Sequence, residues 1–171
     1  PAGQPGRLSK SPPNILLVVT DQQMATTLGC YGNPWCHTPH ADALAARGVR
    51  FSNAYTVCPI CSPARASMQT GMYPFRHGIQ TNTYTRGCLV HELPDYPGLL
   101  SRRLQACGYA TGYTGKWHLG FGPDAAGHPE YERHVRDVPL LAYARHGGSL
   151  PSTIGYEGDD FPGHGGSGMH T

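Results

Sequence analysis

Three short stretches hold the side chains whose types and spacing could do chemistry. They are Thr20-Asp21-Gln22 at the end of an apolar run, Cys58-Pro-Ile-Cys61-Ser-Pro63-Ala-Arg65, and Gly115-Lys116-Trp117-His118. A cysteine such as Cys61 can serve as nucleophile or as metal ligand. Arg65, four residues on, shares a face with it if a helix starts at the cysteine. Lys116 and His118 sit two apart on a Gly-flanked loop, where an extended backbone points both to the same side. Spacing alone leaves Cys58 and Cys61 open as a redox pair or as half a zinc site. Zinc needs a second pair, and Cys30, Cys36, Cys88 and Cys107 contain no such spacing. A redox pair should open a helix after a thioredoxin-like strand, whereas Pro63 and Arg65 follow directly.

A third reading comes from resemblance. Cys61-Ser-Pro63-Ala-Arg65, followed by Thr70-Gly71, resembles the Cys-x-Pro-Ser/Ala-Arg signature of type I sulfatases, in which the cysteine is oxidised to formylglycine. Gly108-Tyr-Ala-Thr-Gly-Tyr-Thr-Gly115-Lys116-Trp117-His118-Leu-Gly120 resembles the family's second signature, and Asn14 to Asp21, Leu28 to Gly32, Thr38 to Tyr55 and Tyr73 to Gly78 resemble its N-terminal framework. The similarity runs from about residue 14 to 122. It implies an α/β, alkaline phosphatase-like fold, of which this chain would be the N-terminal part of a mostly parallel sheet flanked by helices.

The resemblance also implies roles. Formylglycine at position 61 would hydrate to a gem-diol; one hydroxyl attacks the sulfur of a sulfate ester, and the other lets the covalent adduct collapse with release of sulfate. Arg65 would hold the diol and the metal-ligand carboxylates, Lys116 would bind a sulfate oxygen, and His118 would hydrogen-bond the formylglycine. Asp21 matches the first metal ligand, and residue 61 itself would bind the metal. Where the usual second Asp stands, this chain has Gln22, a neutral amide, as choline-sulfatase-like and phosphonate monoester hydrolase-like members do. Hard oxygen donors suit calcium, with manganese the alternative. The implied partners are a small-molecule or sugar sulfate ester and the formylglycine-generating maturation enzyme. Hydrolysis of a phosphonate monoester or phosphodiester by the same chemistry is the rival activity, and a non-catalytic sulfatase-derived module is the alternative from another class.

The elements that must position these residues follow from local patterns. Asn14 to Thr20 is a continuous apolar run, read as a strand buried on both faces of a parallel sheet, with Asp21 at its carboxyl end where α/β folds place ligands. Thr38 to Gly48 has Pro near the start, an Ala/Leu-rich body and Gly past the end, which predicts a helix. Val49 to Tyr55 reads as a second strand, Pro97 to Cys107 as a second helix, and Tyr109 to Tyr113 as a third strand. Asp21, Cys61 and His118 are expected to converge at one edge. Residues 123 to 171 are rich in Gly, Pro and His and read as a surface excursion, with a helix over Tyr131 to Arg145 broken at Pro139. The expected organisation is a flexible segment over 1–13, a catalytic region over 14–122 and a loop-rich, truncated continuation of the same domain over 123–171. No Asp-Asn or Asp-His pair follows, since Asp95, Asp124, Asp137 and Asp160 precede Tyr, Ala, Val and Phe. The chain is therefore expected to be the N-terminal portion of a longer enzyme.

Composition narrows the partners. With 13 Lys and Arg against 11 Asp and Glu, and arginines scattered along the chain, no basic stripe marks a nucleic-acid surface. The longest strongly apolar run, Ile15 to Val19, is far short of the roughly 20 residues that cross a bilayer, so no membrane span is expected. With 23 Gly and 16 Pro among 171 residues, loops should abound. Six cysteines do not fix the compartment, and the cytoplasm is slightly favoured over the periplasm or secretion.

Overall fold

A computed structural model describes residues 12–83, 85, 88, 90–120 and 149–157. The chain divides into two compact units, Pro1–Arg50 and Phe51–Thr171.

In the first unit, helix α1 spans Pro39–Arg47, with Pro at its first position and Asp42 in its first turn. The Asp42 carboxylate suits the positive end of the helix and also ties down the preceding loop. It accepts the Cys30 N–H at 2.6 Å and the Thr38 hydroxyl at 3.1 Å. Gly29 is required by that contact, because a Cβ there would lie 2.6 Å from Asp42 Oδ2. The Leu28 to Gly32 stretch is thus a framework turn, over which the Arg50 guanidinium covers the Tyr31 ring at 5.1 Å and donates to the Cys30 carbonyl.

The strand expected over 14–20 is not paired among the described residues. Ile15, Leu16, Leu17 and Val18 are exposed, Leu16 by 89%. A parallel strand is held only by neighbouring strands and covered by crossover helices, and none of the described residues supplies them. Residues 49–55 likewise form no strand, and of 109–113 only Gly112 takes part in a β-bridge, an isolated parallel one to Glu157. No described helix is long and apolar enough to cross a membrane.

In the second unit, α2 spans Cys61–Thr70, α3 Pro74–His77 and α4 Leu100–Ala106. Pro63 is tolerated in α2 because a helix's first four N–H groups have no partner within it. The ladder starts at the next residue, where Ala64 N–H meets the Ile60 carbonyl at 3.0 Å, and Gly71 ends the helix at φ 69°. Ala66, Ile79, Leu93, Leu99, Trp117, Leu119 and Ile154 form the core.

Ile154 corrects the reading of the tail as a surface excursion. Residues 149–157 pass through the core's edge, with Ile154 only 1% exposed. Their backbone is held by side chains that sequence patterns do not flag: Ser101 Oγ donates to Ile154 O at 2.5 Å, and Gln105 and Thr111 both donate to Gly155 O at 2.6 Å. Trp117 Nε1 donates to Ser149 O at 2.8 Å. The helix expected over 131–145 and most of the segment over 1–13 lie outside the described residues.

Candidate active site

The site assembles where the start of α2 meets the loop from Gly115 to Gly120. Cys61 is the first residue of α2, and Ser62 and Arg65 follow one helical turn apart, so both face the same neighbour. That neighbour is the loop backbone. Arg65 Nη1 donates to the Lys116 carbonyl at 2.6 Å, and Ser62 Oγ donates to the His118 carbonyl at 2.7 Å. Two carbonyls two residues apart are thus gripped by two side chains three apart on the helix.

This grip sets where the loop's side chains go. Lys116 Nζ lies 3.6 Å from Cys61 Sγ, within reach of an N–H···S contact. Trp117, on the opposite side of the loop, is 2% exposed and enters the core. His118 is 6% exposed and has a left-handed backbone, φ 57°. The plain extended backbone expected for Lys116 to His118 is therefore replaced by a turn at His118, and it is the His118 carbonyl that meets α2. Gln22 is the other described non-glycine residue with positive φ, at 52°. Such conformations cost energy and gather at functional sites, and both fall here on candidate site residues.

Sequence reasoning missed three contributors. Thr83 is 2% exposed; its N–H donates to Ser62 Oγ at 3.2 Å and its hydroxyl to the His118 carbonyl at 3.4 Å. Asn82 Oδ1 accepts the Ser62 N–H at 3.1 Å, supplying one of the partners that the helix start lacks. Tyr113 Oη donates to the Lys116 carbonyl at 2.5 Å and also hydrogen-bonds Arg65. Burial pushes the Tyr113 hydroxyl above the usual phenol range, with the Arg65 charge pulling the other way. Asn82 and Thr83 lie outside every quoted motif, and Tyr113 lies within the Gly108 to Gly120 stretch without a residue type that points to chemistry, because their bonds go chiefly to backbone or to other side chains' shared acceptors.

A second polar pair, Ser67 on α2 and His77 on α3, could be mistaken for a nucleophile and its base. His77 Nε2 lies 3.1 Å from Ser67 Oγ, but Nδ1 accepts the Ile79 N–H at 3.1 Å. In the neutral ring that tautomer places the proton on Nε2, which donates to the serine and cannot remove its proton. Burial holds His77 below the usual imidazole range, partly offset by backbone hydrogen bonds, so the pair is a structural tie between α2 and α3.

Asp21 and Gln22 are exposed and belong to the first unit, whereas Cys61, Arg65, Lys116 and His118 belong to the second. Among the described residues no group of three or more His, Cys, Asp and Glu side chains could hold a metal ion. One carboxylate and one amide fall short of the roughly six to eight oxygens that calcium takes. The described residues do not by themselves build a metal site.

The sulfatase family profile matches residues 13–148. Human N-acetylgalactosamine-6-sulfatase is 43% identical over 118 residues, covering 66% of this chain and 23% of the relative. Human arylsulfatase A is 41% identical over 124 residues, covering 71% of this chain and 24% of the relative. Among solved structures, the candidate sulfatase yidJ of Bacteroides fragilis superposes with a TM-score of 0.54 at 39% identity, covering 58% of this chain and 22% of that one. The chain belongs to the sulfatase family, and with it to the α/β, alkaline phosphatase-like fold. It spans about a quarter of the length of the curated relatives it matches. Sulfatases as a family use a formylglycine and a divalent metal.

Proposed function

We propose that this chain carries the nucleophile and anion-binding half of a sulfate monoester hydrolase, with Cys61 the residue converted to formylglycine. The observation that carries the reading is the Lys116 ammonium 3.6 Å from Cys61 Sγ, on a loop anchored through its carbonyl to Arg65 of the same helix. The sulfur stands in for the oxygen of the modified residue. A cation beside that atom is placed to meet an ester's sulfate oxygens as negative charge builds during attack. The aldehyde, once hydrated, would supply one hydroxyl as nucleophile, and loss of the other hydroxyl's proton would expel sulfate and restore the aldehyde.

The chain's own residues supply the rest. Lys116 binds the sulfate as a point charge, Arg65 fixes the loop and orients residue 61, and His118 sits buried beside them as a hydrogen-bonding group. Asp21 and Gln22 are this chain's share of a metal site; calcium is the proposed ion on the hardness of their oxygens, ahead of manganese. The substrate class is a small-molecule or sugar sulfate, in line with relatives named for N-acetylgalactosamine-6-sulfate and aryl sulfates. Phosphonate monoester or phosphodiester hydrolysis is the second reading, carried by Gln22 standing where the usual second Asp would be, as in phosphonate monoester hydrolase-like members.

The test is the protein co-produced with a formylglycine-generating enzyme. Peptide mass spectrometry should find aldehyde oxygen in place of sulfur at position 61 and an intact thiol at Cys58, which lacks Pro and Arg at the required offsets. Steady-state rates on matched aryl sulfate and aryl phosphonate esters then choose between the two readings. A free thiol at 61 under these conditions, with neither ester cleaved, would sink both.

A further inference from the structure

We propose that Tyr113 is a positioning residue for Lys116: its hydroxyl, joined to Arg65 over the Lys116 carbonyl, holds the ammonium within reach of residue 61. The Lys116 carbonyl is the shared acceptor of a triangle, with Arg65 Nη1 at 2.6 Å, Tyr113 Oη at 2.5 Å and Arg65 in turn bonded to the tyrosine hydroxyl. Such an anchor is needed because the preceding residue is Gly115, at φ 96° with nothing within 4 Å of the Cβ position. The loop enters Lys116 through its most permissive backbone position, so the carbonyl contacts decide where the lysine stem begins.

Tyr113 is itself held from two sides. Its ring meets Trp117 edge-on at 5.2 Å and Tyr156 at 5.3 Å, and Tyr156 Oη donates to Gln69 Oε1 on α2 at 2.7 Å. Helix α2 therefore reaches Lys116 twice, directly through Arg65 and indirectly through Gln69, Tyr156 and Tyr113. Burial pushes the tyrosine hydroxyl above the usual phenol range, with the Arg65 charge pulling the other way, and the hydroxyl donates to the Lys116 carbonyl. Ring packing alone would be served by phenylalanine; the hydroxyl is what the lysine carbonyl uses.

The inference rests on the sulfatase reading only for what Lys116 does to a substrate; the positioning has a readout of its own. In protein made without the maturation enzyme, residue 61 stays a thiol. Its alkylation by iodoacetate, an anion, reports on the neighbouring ammonium, which lies 3.6 Å from the sulfur and draws the reagent's carboxylate to it. Peptide mass spectrometry resolves Cys61 from the exposed Cys107, the internal reference, and from the buried Cys88, whose protection reports an intact fold.

Tyr113→Phe should slow Cys61 alkylation about 2- to 10-fold, the range of one neutral hydrogen bond. Lys116→Ala should slow it too, and adding Tyr113→Phe to Lys116→Ala should change nothing further. In the matured enzyme Tyr113→Phe should lower kcat/KM by a similar factor at unchanged aldehyde occupancy. The proposal is overturned if Tyr113→Phe leaves Cys61 as reactive as before, if its effect persists in full without Lys116, or if Cys88 becomes reactive. Should the alkylation pattern hold while the matured enzyme cleaves no sulfate ester, the positioning stands and the sulfatase reading fails.

Discussion

Ser62→Ala removes one oxygen from the interior of the site, and its cost can be worked from the contacts. Ser62 is fully buried, with Oγ donating to the His118 carbonyl at 2.7 Å and accepting the Thr83 N–H at 3.2 Å. Alanine leaves the carbonyl with the Thr83 hydroxyl at 3.4 Å, a weak replacement. It leaves the Thr83 N–H with its serine acceptor gone, at a residue only 2% exposed. A neutral hydrogen bond contributes about 0.5–1.5 kcal/mol, and orphaning a buried donor costs about 1–3 kcal/mol. The two overlap, because part of the second is the loss of the first, so we expect about 2–3 kcal/mol. Urea denaturation of the protein, with the slope unchanged and the midpoint lowered, measures it. The Ser62 backbone N–H keeps its bond to Asn82, so α2 should still start at Cys61. A loss below about 0.5 kcal/mol, the scale of a surface change, would show that the His118 turn is held elsewhere.

Lys116→Ala should lower turnover of the matured enzyme by about 10²–10³, the usual effect of losing one preorganised partner of transition-state charge. Arg65→Ala should add a loss of aldehyde occupancy or order at residue 61, seen by peptide mass spectrometry, because it also frees the loop. Ile154→Ala should cost about 2–5 kcal/mol by urea denaturation, as expected for a core isoleucine; a surface position would cost far less. Lowering the pH should weaken the tie between α2 and α3. The His77 imidazole titrates lower in the folded protein than in the unfolded chain, so its contribution is present above the unfolded value and lost as pH falls through the folded one. His77→Asn, whose carbonyl can still accept the Ile79 N–H, should flatten the dependence of stability on pH between 7 and 5.

The chemistry was more legible than the scaffold. Cys61, Arg65 and Lys116 stand out because charge and nucleophile must sit at fixed offsets, and a helix beginning at Cys61 delivers the spacing. Ser62 and Tyr113 fall within the two signatures, yet their roles, like that of Thr83, stay silent because they act on backbone carbonyls, which every residue has. The Asn14 to Thr20 run carries the composition of a buried strand, but a strand's partners are remote in sequence, and no local pattern says which segment provides them. Residues 149–157 mislead for the opposite reason. Their Gly, Pro and Ser content reads as loop, which it is, yet one isoleucine and a row of side chain-to-carbonyl bonds seat that loop against α4 and the core.

The turn at His118 explains why this loop can serve both the core and the site. Between Gly115 at φ 96° and His118 at φ 57°, the chain changes direction twice within four residues. That places the carbonyls of 116 and 118 toward α2 and sends Trp117 the other way, where its indole N–H caps Ser149 O. Trp117 therefore acts as a fulcrum. Core packing on one side fixes the height of the loop, and the hydrogen bonds from Ser62, Arg65 and Tyr113 on the other fix its register. The Lys116 side chain is left out of both tasks. Its ammonium instead lies 3.6 Å from Cys61 Sγ, where a long, flexible stem can carry a point charge to an incoming anion.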